Sequence, residues 1–133
     1  MTKAAVVATI MRVVLGIIFV FHGVAKFQMG LGNVEAWFSS IGIPGFLAYV
    51  VAVLELGGGI LLILGLFTRY VSGALFIVLA GAIVTTKLSA GLLGNGESAG
   101  YELDLSLMLI LLYFIVNTAP LSIDRLMNKR TAE

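Results

Sequence analysis

Uncharged runs occupy residues 13–21, 36–54, 56–68, 70–86 and 105–123, and the charged positions gather between them. A helix that crosses the hydrocarbon core of a bilayer needs roughly 20 mostly apolar residues. Assembled across isolated charges, the runs predict four such helices, at about residues 5–27, 46–67, 70–88 and 101–120. The expected fold is all-α, a membrane-embedded four-helix bundle forming one domain over residues 1–133. The connection at about 28–45 has an amphiphilic middle, Val34 to Ile41, with the only Trp of the chain, which suits a segment lying at the membrane interface. Pro44 and Gly45 mark the entry to the second helix. Arg69 leaves so little chain between the second and third helices that they must form an antiparallel hairpin.

Within the helices the charges are not scattered at random. At about 100° per residue, Arg12, Gly16, Phe19, Gly23 and Lys26 share one narrow face, with His22 beside it. Glycines admit a neighbouring membrane helix closely, so this face is expected to point into the bundle. Glu55 sits near the middle of the second span, with Gly58 and Gly59 three and four residues on. An ionisable group at that depth is costly and marks a functional or pairing site. Its candidate cations are Arg12 from below and Lys26 or His22 from above. On the third helix Gly73, Ala80 and Lys87 recur at seven-residue intervals. On the fourth, Glu102, Ser106, Leu109, Tyr113 and Asn117 share a face. Glu102 is therefore expected to face inward and Asp104 to reach toward the interface.

Charge also orients the chain. Four spans place both termini and Arg69 on one side, together with Lys3, Arg125, Lys129 and Arg130, and Arg12 just inside. The other side holds Lys26, Lys87, Glu35, Glu97 and Glu102. The excess of Lys and Arg near the termini predicts that both are cytoplasmic. Arg12 interrupts the first apolar run and Lys26 closes it, so it is expected to be a resident helix and not a cleaved leader.

Composition removes several function classes. The chain of 133 residues is 60% hydrophobic and 11% charged, with mean hydropathy +1.12, which no ordinary soluble domain shows. It has no cysteine, which excludes disulfides, thiol exchange and cysteine-ligated iron–sulfur or zinc sites within it. One histidine excludes a bis-His haem in a single subunit. The net charge of +1 provides no basic surface for nucleic acid. His22 alone is more often a satisfied polar residue than a metal ligand, so no metal site is expected.

Two stretches carry a likeness. The first is Arg12, Gly16, Gly23, Lys26, Phe27; the second runs from Glu55 through Gly58, Gly59, Leu61, Leu62, Gly65, Leu66, Thr68 and Arg69. With Lys87 and the closing Ser122, Ile123, Asp124, they resemble the DoxX family of small four-helix membrane proteins over nearly the whole chain. The chain departs from the family where Asn117, Thr118, Ala119 and Pro120 stand in place of a glycine-rich turn. The resemblance implies a multi-pass protein of the bacterial or archaeal cytoplasmic membrane, linked to quinol oxidase, thiosulfate:quinone or oxidative-stress systems.

Arg12, His22, Lys26, Glu55, Lys87, Glu102 and Tyr113 are the candidate ligand-binding residues; no catalytic residue is assigned. A bland reading makes the charges a network that fixes helix register, yet interhelical polar contacts in membranes average only about 0.6 kcal/mol. Quinone chemistry moves protons with electrons and needs hydrogen-bond donors beside a titratable carboxylate, which His22, Lys26, Glu55, Glu102 and Tyr113 supply. The favoured expectation is a quinone- or quinol-binding accessory subunit, with no covalent cofactor and a redox protein partner carrying the electron centre. Two alternatives stay open: transport of a small solute or proton by a homo-oligomer, and a scaffold docking soluble redox enzymes at the bilayer.

Overall fold

The computed structural model describes residues 2–96, 100–117 and 122–126. Its helices are α1 (Lys3–Met29), α2 (Leu31–Ser40), α3 (Leu47–Leu64), α4 (Thr68–Ala82) and α5 (Glu102–Val116). A π-turn, Ile83–Lys87, and a 3₁₀ turn, Leu88–Ala90, extend α4. Glu97, Lys129, Arg130 and the 118–120 end of the expected fourth helix lie outside the described residues.

Local chemistry sets the helix ends. Thr2 accepts the Ala5 N–H at its Oγ1 (3.0 Å) and caps α1. Gly30, at φ +90°, breaks the chain between α1 and α2. Gly65 closes α3 in the left-handed conformation that a residue without Cβ adopts freely. The Leu66 N–H then reaches Leu61 O (2.9 Å) and the Gly65 N–H reaches Leu62 O (3.2 Å), the paired closure of a Schellman motif.

Three apolar helices have membrane length: Lys3–Met29, Leu47–Leu64 and Thr68–Ala90. The fifteen residues of α5 rise about 22 Å, short of the roughly 30 Å hydrocarbon core. One apolar core joins all four long helices: Leu15 and Phe19 of α1, Leu62 of α3, Leu75 and Leu79 of α4, and Leu107, Leu111 and Phe114 of α5. Val34 and Phe38 bury α2 against Ala48 of α3, while Trp37 stays about half exposed (51%). Tyr49 Oη donates to Glu35 Oε2 (2.9 Å) and ties α2 to α3 a second time. Val6, Ile10, Val14, Ile17 and Phe21 form the outward face of α1, apolar surface suited to lipid.

The closest packing is between α1 and α3. A Cβ placed on Gly16 would stand 2.6 Å from the Gly59 carbonyl oxygen, and one on Gly59 would stand 2.6 Å from the Gly16 oxygen. Gly23 meets the Leu56 backbone nitrogen at the same 2.6 Å. Backbone cannot step aside as a flexible side chain does, so these glycines set the helix separation.

Gly59→Val or Gly16→Val is therefore expected to lower stability by at least about 1–3 kcal/mol, the usual range for overpacking. Gly73→Ala and Gly81→Ala, where an added Cβ meets nothing within 4 Å, are expected to be neutral or to gain up to about 1 kcal/mol from helix propensity. Thermal denaturation of the four variants in one detergent distinguishes the two classes.

Candidate functional site

Antiparallel packing over the glycine crossing sets Lys26 of α1 above Glu55 of α3. Lys26 Nζ lies 3.0 Å from Glu55 Oε1 and 2.9 Å from Oε2, so one ammonium bonds both carboxylate oxygens. The Glu55 side chain is 6% exposed and that of Lys26 22%. Glu55 is the ninth of the eighteen residues of α3, at the middle of an apolar helix. His22, one turn before Lys26, is half-buried with its ring 6.3 Å from that of Phe19.

A second ion pair joins the other two long helices. Lys87 Nζ lies 2.9 Å from Asp104 Oδ2, an ion pair by distance in which that oxygen is out of line for a hydrogen bond. The Asp104 side chain is 3% exposed.

Arg12 lies at the opposite end of the α1–α3 contact. Its Nε donates to Leu62 O (2.9 Å), and its guanidinium carbon would stand 3.0 Å from a Cβ on Gly65. Asp124 completes this end: its carboxylate accepts the N–H groups of Phe67 and Thr68, both at 2.7 Å, and its own N–H donates to Gly65 O (3.0 Å). These bonds cap the start of α4 and hold Phe67 at φ 52°, a conformation costly for a bulky residue. The Asp124 charge also acts on the Arg12 guanidinium.

A model of the DoxX family matches residues 7–88. The chain belongs to the DoxX family. Among similar proteins, one from Bacillus subtilis (strain 168), named "Putative oxidoreductase CatD", is 47% identical over 98 residues, covering 73% of this chain and 72% of the relative. An "Uncharacterized membrane protein Rv3486" of Mycobacterium tuberculosis (strain ATCC 25618 / H37Rv) is 38% identical over 135 residues, 90% and 80% of the two chains. "Inner membrane protein YqjF" of Escherichia coli (strain K12) is 33% identical over 128 residues, 90% of each. No solved structure matches the chain.

The match to the DoxX family includes Arg12, His22, Lys26, Glu55 and Lys87 and stops before α5. The structure joins these residues differently from the single cluster expected. Lys26 pairs with Glu55, while Arg12 goes to the α3–α4 turn and Lys87 to α5. The expected orientation of α5 is corrected: Glu102, Ser106, Leu109, Tyr113 and Asn117 are exposed, and Asp104 is buried. The stripe that decides the face is Asp104, Leu107, Leu111 and Phe114, which packs on α4. Polar side chains on the outer face avoid much of the expected cost locally, since Ser106 Oγ donates to Glu102 O (2.8 Å) and Asn117 Nδ2 to Tyr113 O (3.1 Å). Glu102 and Tyr113 therefore stand away from the Lys26–Glu55 pair.

Asp104 and Asp124 are the polar residues whose partners the sequence reading missed. For Asp104 the pattern held no signal, since Glu102 also has apolar residues three, seven and ten positions on. For Asp124 the signal was an α4 start with no capping side chain of its own. Among the described residues no group of three or more His, Cys, Asp or Glu converges as a metal site.

Removing one member of the Lys26–Glu55 pair strands a buried charge. Lys26→Met is expected to cost about 3–5 kcal/mol, and the double variant Lys26→Met/Glu55→Leu to recover most of it. Unfolding midpoints of Lys26→Met, Glu55→Leu and the double variant measure the coupling.

Proposed function

We propose that this DoxX protein is a quinone- or quinol-binding accessory subunit of a membrane redox system, with the Lys26–Glu55 pair as its ligand site. In this reading the chain sits in the cytoplasmic membrane of a bacterium or archaeon and crosses it four times, α5 being the last crossing, with both termini cytoplasmic. Lys3, Arg69 and Arg125 on the terminal side support that orientation.

The observation that carries the proposal is an ion pair of a partly accessible ammonium and a buried carboxylate at mid-helix, where neither charge serves a backbone group. A quinone brings two-electron, two-proton redox chemistry. Lys26 has a further N–H direction with which to donate to a ring carbonyl, and Glu55 can accept a hydroxyl hydrogen or hold its proton. His22, on the next turn of α1, offers a second donor. The chain brings no cysteine-ligated cluster and a single histidine, so the proposal assigns the electron centre to a partner protein. The name of the Bacillus subtilis relative supports an oxidoreductase setting and goes no further.

Solvent extraction of protein purified in native lipids is expected to yield quinone, and Glu55→Gln is expected to lose it while keeping its helical circular dichroism. The charge-exchanged variant Lys26→Glu/Glu55→Lys controls for folding. A folded wild type free of quinone in several lipid mixtures would sink the proposal.

Topology has a separate test that exploits the absence of native cysteine. Leu93→Cys, in the exposed segment after α4, is expected to react with a membrane-impermeant maleimide on intact cells. Arg125→Cys is expected to react only after the membrane is opened.

A further inference from the structure

Ile83, Val84, Thr85 and Thr86 are four β-branched residues in succession at the end of α4. Such side chains crowd the preceding turn of an α-helix. Here the helix widens: the Leu88 N–H bonds to Ile83 O, a closure five residues back, and Ile83–Lys87 form a π-turn. Thr85 Oγ1 donates to Gly81 O and Thr86 Oγ1 to Ala82 O, each at 2.7 Å, so side chains serve the last carbonyls of α4, just before the widened turn.

A π-turn holds one residue more than an α-turn, which rotates the chain beyond it by about 100°. In uninterrupted α geometry Lys87 would stand seven residues beyond Ala80 and fourteen beyond Gly73, on the side where a Cβ on Gly73 meets nothing within 4 Å. With the extra residue it takes the direction of position 86, seven beyond Leu79 and in line with the Leu75–Leu79 stripe buried in the shared core. There it meets Asp104. The heptad that the sequence suggests for Lys87 is thus undone by one residue.

We propose that the π-turn is a register switch held by the Lys87–Asp104 pair. The pair keeps the extra residue in the turn. When that pair is broken, the turn closes to α geometry, Lys87 swings about 100° to the open side of α4, and the 88–96 segment moves with it.

The test uses the full chain in lipid nanodiscs. Deleting Thr85 removes the extra residue while leaving Lys87 directed at Asp104. Its melting midpoint is expected at or above that of wild type. Deleting Ile77, which throws Leu79 off the core, is expected to lower the midpoint by roughly 5 °C or more. Asp104→Asn, and Lys87→Gln as the independent variant, are expected to slow amide exchange at 83–88 severalfold as the turn closes. In the Thr85 deletion the same substitutions are expected to leave that exchange unchanged. If deleting Thr85 is as damaging as deleting Ile77, or if breaking the pair speeds exchange or leaves it unchanged in the full-length turn, the switch is refuted.

Discussion

The backbone contact of Gly16 with Gly59 is the constraint on which the polar architecture depends. In lipid, no hydrophobic force drives one apolar helix against another, so close van der Waals approach of small residues has to do that work. The contact also fixes where the charges of α1 land. Arg12 lies four residues before Gly16 and Lys26 ten after it, so the two cations sit at opposite ends of the crossing, about 21 Å apart along the helix. A larger residue at either glycine would move both ends at once, separating Lys26 from Glu55 and Arg12 from Leu62 O.

The two ends use their charges differently. Between α3 and α4 only residues 65–67 intervene, so the carbonyls ending one helix and the N–H groups starting the next crowd one short turn. Such groups need partners when water is scarce. Arg12 takes a carbonyl of α3, and Asp124 takes two N–H groups of α4. Those charges are explained by the backbone they satisfy. The Lys26–Glu55 bonds satisfy no backbone group, and both residues could be apolar without leaving a helix end open. The functional reading therefore rests on the Lys26–Glu55 pair and not on Arg12.

What could be read in the chain depended on how strongly each helix was patterned. On α1, Arg12, Gly16, Phe19 and Gly23 are buried and Lys26 is partly buried, because small and charged residues leave that helix one face to present inward. The same holds for Glu55, Gly58 and Gly59 on α3. By contrast α5 is leucine-rich on every side, so its wheel carries little information, and two carboxylates in its first turn could not be told apart by polarity alone. Lys87 was out of reach for another reason: a periodicity argument assumes α geometry, and the β-branched run breaks it. Asp124 acts on residues 56 and 57 positions earlier, a contact no local pattern encodes.

On the proposed reading, the geometry of the Lys26–Glu55 pair restricts its ligand. One ammonium already bonds both oxygens of Glu55. An anionic ligand drawn to Lys26 would strand the buried carboxylate, and a cationic ligand drawn to Glu55 would strand the ammonium; either loss is severe at low dielectric. A neutral molecule that accepts from the remaining N–H of Lys26 and donates to Glu55 can bind beside the pair and leave it intact. A quinone offers acceptors only, whereas its reduced form carries hydroxyl donors as well. The ionised pair would thus favour the reduced form.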